Sequence, residues 1–209
     1  MLLKKKWKVP LAGRVLAEVA MVVAGVCLAA HLTSGHVSAA GEGNEKVSVV
    51  VVGHGGVPKD YPRLKELFDL HDKGGEEFEK LEHEVTYWPR TQENDAYWAG
   101  FMRVVESMRQ KGTFHSVHAA FNEMCAPTIP EALAEARESN PDTIVVVTTM
   151  LTPGGGHSEK DIPAAVEDFK KTNPDVKVVY AWPFDVGDVS SLLAEQAVKF
   201  AADYQETIR

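Results

Sequence analysis

Val47-Ser48-Val49-Val50-Val51-Val52-Gly53-His54-Gly55-Gly56 is a run of nearly continuous valine that stops in glycine, histidine and two more glycines. Valine is stiff at χ1 and favours extended backbone. An apolar run without polar alternation reads as a strand buried on both faces, the condition of an interior strand in a parallel sheet. Three further strands are expected, at Phe114–Phe121, Thr143–Thr149 and Val176–Ala181. Amphipathic stretches separate them. Asp95 can cap a helix in which Tyr97, Trp98, Phe101, Met102, Val105 and Met108 recur at helical spacing, ending near Gly112. Thr128 and Glu131 have the spacing of a capping box. Asp161 followed by Pro163 marks the start of a third helix, and the last runs from about Asp188 to Tyr204. Strand and helix in alternation mean parallel pairing through right-handed crossovers. The expected fold is α/β: an open, doubly wound, parallel four-stranded sheet covered by helices on both faces.

The stretch from about 57 to 95 is far longer than a connection after a strand needs. Leu64, Leu67 and Phe68, then Phe78, Leu81 and Val85, have helical periodicity, so it reads as an inserted helical pair. The Tyr87-Trp88-Pro89-Arg90 stretch after it is aromatic and loop-like.

Residues 1–40 differ in kind from the domain expected over 41–209. Lys4, Lys5, Lys6, Lys8 and Arg14 precede an apolar run from Val19 to Ala30, and Val37-Ser38-Ala39-Ala40 offers small residues for cleavage. This is the pattern of an export signal. The run is short of the ~20 residues a spanning helix needs, so a retained membrane anchor is the second reading. Val26 stands before Cys27 where lipidation wants a small residue, and lipidation is discounted. Without this segment 17 Lys and Arg face 29 Asp and Glu, a formal charge of −12 against −8 for the whole chain. That sign excludes nucleic acid as a partner. Cys125 is then the remaining cysteine and forms no intrachain disulfide.

In an open parallel sheet ligands bind beyond the carboxyl ends of the strands. The first strand ends in Gly53-His54-Gly55-Gly56, and the third runs into Thr152-Pro153-Gly154-Gly155-Gly156-His157. Adjacent parallel strands lie about 5 Å apart, which would bring His157 near His54. A histidine among glycines is unshielded and suits metal ligation or proton transfer, whereas alone it is as readily a turn residue bonded to backbone. The second strand runs into Asn122-Glu123-Met124, so Glu123 lies on the same edge; a carboxylate there can be a third ligand, accept protons, or simply favour the helix that follows. The glycines fit no nucleotide loop: Pro58 occupies the last glycine position of G-x-G-x-x-G, no Lys-Ser/Thr pair completes a P-loop, and no G-x-S-x-G elbow is present. His115 and His118, at odd spacing within the second strand, read as structural. His71 and His83 read as solvated, and Cys125 as a small buried residue.

The strings Val49-Val50-Val51-Val52-Gly53-His54-Gly55, Ala120-Phe121-Asn122-Glu123 with Pro127-Thr128-Ile129-Pro130-Glu131-Ala132-Leu133, and Ile144–Val147 through Leu151-Thr152-Pro153-Gly154-Gly155-Gly156-His157 to Asp161-Ile162-Pro163 resemble the small class II chelatases, the sirohydrochlorin cobaltochelatase and ferrochelatase family. With Val176–Pro183 they span the chain after residue 40 apart from the insertion.

The resemblance implies that His54 and His157 are the metal-binding and catalytic pair, with Glu123 assisting. It implies a divalent metal as substrate (Co2+, with Fe2+ or Ni2+ as alternatives), a tetrapyrrole of cobalamin or siroheme synthesis as the second substrate, and a homodimer with its sites facing a cleft. Pro58, Met124, Leu151 and Trp182 are the expected apolar walls for the ring, and Tyr87 and Trp88 a lid. The insertion and the export signal depart from that pattern; the export signal implies a periplasmic protein, with membrane contact only through the N-terminal segment where that stays uncleaved. An exported carrier that holds metal or heme without turnover is the alternative. A two-metal hydrolase has less support, because no dense carboxylate cluster is visible.

Overall fold

Valine places β1 (Val47–Gly55) in the middle of the sheet. In the computed structural model, which describes residues 45–207 and side chains to residue 201, parallel β2 (Ser116–Glu123) lies on one side of it and β3 (Thr143–Thr148) on the other. β4 (Lys177–Tyr180) pairs with β3, giving the order β2-β1-β3-β4. Val49 to Val52 are at most 2% exposed. Each such side chain contributes about 1.5–3 kcal/mol on burial, so the run holds its place only where both faces are covered. The expected export signal, residues 1–40, lies outside the described residues.

The two faces divide by parity. Val50 and Val52 join Ile144, Val146 and Val178 against α4 (Ile129–Glu138) and α5 (Ile162–Thr172). Val49 and Val51 pack with Phe121 against Phe101 and Val105 of α3 (Ala96–Gln110). Asp95 caps α3 as expected, its carboxylate accepting the Trp98 N–H at 2.8 Å. The capping box of Thr128 and Glu131 opens α4. The insertion is a helical pair, α1 (Leu64–His71) and α2 (Glu76–Thr86), closed on its own core of Tyr61, Leu67, Leu81 and Val85 together with Met124.

Two expectations need correction, and a third, the structural reading of His118, stands. The third helix does not begin at Asp161: a wide π turn over His157–Asp161 runs into α5 without a break. Asp161 has helical backbone and its carboxylate is taken by His157, so it caps nothing. His115 precedes β2 rather than lying in it, its Nε2 2.9 Å from the Ser139 carbonyl. His118, inside the strand and 7% exposed, meets Ser116 and Glu135 toward the start of β2, away from the rim where Glu123 lies.

The last helix, α6 (Val186–Thr207), leaves the sheet incompletely covered. Every residue from Ser190 to Ala201 is exposed, including Leu192, Leu193, Val198 and Phe200. Over β3 and β4 the α3 side of the sheet is correspondingly bare, with Val145 and Val147 half-buried and Val179 39% exposed. Among the described residues no helix is long and apolar enough to cross a membrane.

Candidate metal centre

β1, β2 and β3 are neighbours and parallel, so their carboxyl ends form one rim. His54 stands in the last residues of β1, Glu123 closes β2, and His157 opens the π turn after β3. Register pairs Gly55 with Glu123, which fixes the first two ligand candidates side by side. The His54 backbone N–H donates to the Tyr97 hydroxyl at 2.7 Å, tying the end of β1 to α3. Tyr97 had read as helix periodicity alone.

The two imidazoles meet edge to face, with ring centroids 4.8 Å apart and planes at 83°. Glu123 bridges them: one carboxylate oxygen is 3.4 Å from His54 Nδ1 and the other 3.6 Å from His157 Nε2. One donor atom from each of the three residues lies within 4.8 Å of the others. Ligands bonded to one ion at ~2.0–2.2 Å stand roughly 3–3.5 Å apart, so small rotamer adjustments suffice to close the set around a cation. The side chains of His54, Glu123 and His157 are 45%, 29% and 31% exposed. An ion held there keeps coordination positions toward solvent, the arrangement of a site that exchanges ligands.

His157 has a partner behind it. Its Nδ1 lies 2.6 Å from Asp161 Oδ2, one turn along, and 2.7 Å from the Asn122 amide. An N–H at Nδ1 donated to Asp161 leaves the Nε2 lone pair facing Glu123 and the open rim. Carboxylates in this position fix the tautomer and orientation of an imidazole. The i,i+4 spacing to His157 was the available signal for Asp161. Asp161→Asn is expected to weaken Co2+ binding by about 10–100-fold, read by competition titration with a chromophoric chelator; unaltered affinity would show that the pair is incidental.

The expected walls separate. Pro58 is buried, and Met124 is 8% exposed in the core of the insertion. Leu151 lines an apolar groove of about 260 Å³ with Pro153, Phe184, Val186, Val189 and Leu193. Trp182 stacks on Tyr180 and meets Phe184 edge-on beyond β4. The expected lid separates as well. Tyr87 is bonded to Glu131 of α4 at 2.7 Å and stays half exposed, while Trp88 turns inward onto Tyr61 and donates to Asp60. A second cavity, about 300 Å³, opens beside Glu123 and is lined by Glu79, Glu82, His83 and Tyr87. His83 is exposed, as expected, and borders that cavity. Cys125 is 1% exposed, and burial pushes its thiol up to about 11, which makes it a poor thiolate ligand at neutral pH.

Comparison with known proteins matches the CbiX family model to residues 90–199, more than half of the chain and inclusive of Glu123 and His157. The chain is 31% identical over 101 residues to a sirohydrochlorin cobaltochelatase of Methanopyrus kandleri, covering 39% of this chain and 70% of that protein. Among solved structures it is similar to the sirohydrochlorin chelatase SirB of Bacillus subtilis subspecies spizizenii in complex with cobalt (17% identity, TM-score 0.42, 66% of this chain covered) and to a CbiX protein of Marinobacter aquaeolei VT8 (18%, 0.42, 76% of this chain and 98% of that one). The chain spans 43% of the SirB chain. On the family match and the identity to the archaeal relative, the chain belongs to the CbiX family.

Proposed function

We propose that this chain is a tetrapyrrole metal chelatase that holds Co2+ or Fe2+ on His54, Glu123 and His157 and inserts it into sirohydrochlorin or a related macrocycle. The observation that carries the reading is the convergence of three donors, from the ends of β1 and β2 and the turn that follows β3, on a half-open rim, in a chain of the CbiX family. Insertion exchanges a divalent cation for two pyrrole N–H protons. Two imidazoles and one carboxylate hold the cation firmly enough to strip water from it, yet leave positions for pyrrole nitrogens. As metal–nitrogen bonds to the ring form, bonds to the protein break. The freed Glu123 carboxylate and the freed imidazoles then accept the two protons. Asp161 stabilises the imidazolium of His157 that results.

The assay is direct. Purified protein with Co2+ and sirohydrochlorin is expected to accelerate the absorbance change of metal insertion over the rate without protein. Retention of metal or heme with no conversion of the free macrocycle would make the chain a carrier instead.

The same reading includes export to the periplasm through residues 1–40 and a homodimer. The apolar stripe of α6, with Val186, Val189, Leu193 and Phe200 at helical spacing, is supplied with a complement by the bare Val145, Val147 and Val179 of a second copy. N-terminal sequencing and light scattering of the protein from its native source check both parts: a start near residue 41 and a mass of two chains are expected, and an intact leader on a monomer would refute them.

A further inference from the structure

We infer that Arg90 is a positioning residue that sets the spacing between the His54 and Glu123 ligands. The inference rests on the metal-binding reading above and assigns the insertion its part in it. The Arg90 side chain is 5% exposed, and each of its five N–H donors finds an acceptor. Nε donates to the Trp88 carbonyl at 3.2 Å. One terminal nitrogen donates to the Gly56 carbonyl at 2.6 Å and to Asp95 Oδ2 at 2.7 Å. The other donates to the Val85 carbonyl at 2.8 Å and to the Met124 carbonyl.

Two of those carbonyls belong to the ligand-bearing turns. Gly56 follows His54 by two residues, and Met124 follows Glu123 directly. The strand ladder between the two turns ends at the Gly55–Glu123 pair. Past it, the Arg90 guanidinium bonds to both turns. Met124 also holds a left-handed backbone, φ +49°, which a non-glycine residue keeps only when its surroundings over-determine it. The Arg90 bond to its carbonyl is one of the contacts that does so. Val85 and Trp88 fasten the same guanidinium to the end of α2 and the loop after it, and Asp95 fastens it to the N-terminus of α3. The insertion is therefore a clamp on the rim, with Arg90 as its jaw. Lysine cannot take this place: its ammonium is a point donor with three N–H groups and no planar fork.

The test is Co2+ titration of wild type, Arg90→Lys and Asp95→Asn, followed by the visible ligand-field absorption of the bound ion, with circular dichroism to establish folding. Arg90→Lys is expected to bind Co2+ about 10–100-fold more weakly, the range for residues that support metal ligands, with shifted bands at saturation. A clamp that served stability alone would lower the melting temperature and leave the saturated spectrum unchanged, and that result overturns the inference. Should Arg90→Lys not fold, Asp95→Asn decides, since asparagine keeps the helix cap and removes the charge that orients the guanidinium. A few-fold weaker affinity with altered bands supports the clamp; wild-type affinity and bands overturn it. Wild-type protein that takes up no Co2+ removes the metal reading and the clamp with it. Wild-type protein that binds, beside a folded Arg90→Lys that binds equally, removes the clamp alone.

Discussion

His157→Ala and His54→Ala are each expected to lower the rate of Co2+ insertion by more than about 100-fold, beyond the 10–100-fold range for residues that merely support a ligand. The reasoning is geometric. Each substitution leaves Glu123 and one imidazole, a pair with too few donors to hold a half-exposed cation against water. Neither ring belongs to the core: the side chains are 45% and 31% exposed and contact each other, Glu123 and nearby polar groups. The variants are therefore expected to fold with wild-type circular dichroism and melting temperature. Initial rates of the absorbance change with sirohydrochlorin are the measurement. A full rate in either variant would mean that the imidazole it lacks does not hold the metal.

Gly55→Ala is expected to damage both fold and site, although it adds one methyl group. Gly55 sits at φ +97°, a region that side chains with a Cβ rarely adopt. A Cβ there would stand 1.9 Å from the Glu123 carbonyl oxygen and 3.0 Å from its carbon. Those are backbone atoms at the end of β2, with no rotamer to swing away, so either the His54 turn or Glu123 must move. Strained backbone of this kind costs about 1–3 kcal/mol, enough to lower Tm by several degrees in a domain of this size. The displacement falls on two of the three ligand candidates, and Co2+ affinity should drop with it. Gly56→Ala is the control, because a Cβ at Gly56 meets nothing within 4 Å. Thermal melts and Co2+ titrations of the two variants separate the cases; wild-type affinity in Gly55→Ala would show that the ligand pair tolerates a shift of its backbone.

The parts of the molecule legible in sequence are those where a local signal and the tertiary structure agree. The valines of β1 demanded burial on both faces and received it. Asp95, Thr128 and Glu131 cap their helices because the side-chain-to-backbone bonds are complete within four residues of chain. His54 and His157 could be paired because glycine-rich strand ends in a parallel sheet must share a rim. The parts that were not legible depend on contacts that no local sequence pattern specifies, whether the partner is near in the chain or far. Asp161 before Ile162 and Pro163 carries the marks of a helix start, yet its bond to His157 draws it into a π turn that local propensity does not encode. Met124 and Pro58 were expected as apolar walls for the ring; the structure buries both instead. The periodicity of α6 announces a helix with an apolar stripe but is silent on what covers that stripe. Arg90 was one polar residue in an aromatic loop, because the two acceptors that tie it to the rim, the Gly56 and Met124 carbonyls, each lie 34 residues away in the chain.

Anomalous diffraction from a crystal of the protein loaded with Co2+ tests the account most directly. It predicts one strong peak at the rim of the sheet, about 2 Å from an imidazole nitrogen of His54, from a Glu123 oxygen and from His157 Nε2. Cobalt bound elsewhere, with the two imidazoles and the carboxylate left uncoordinated, would contradict it.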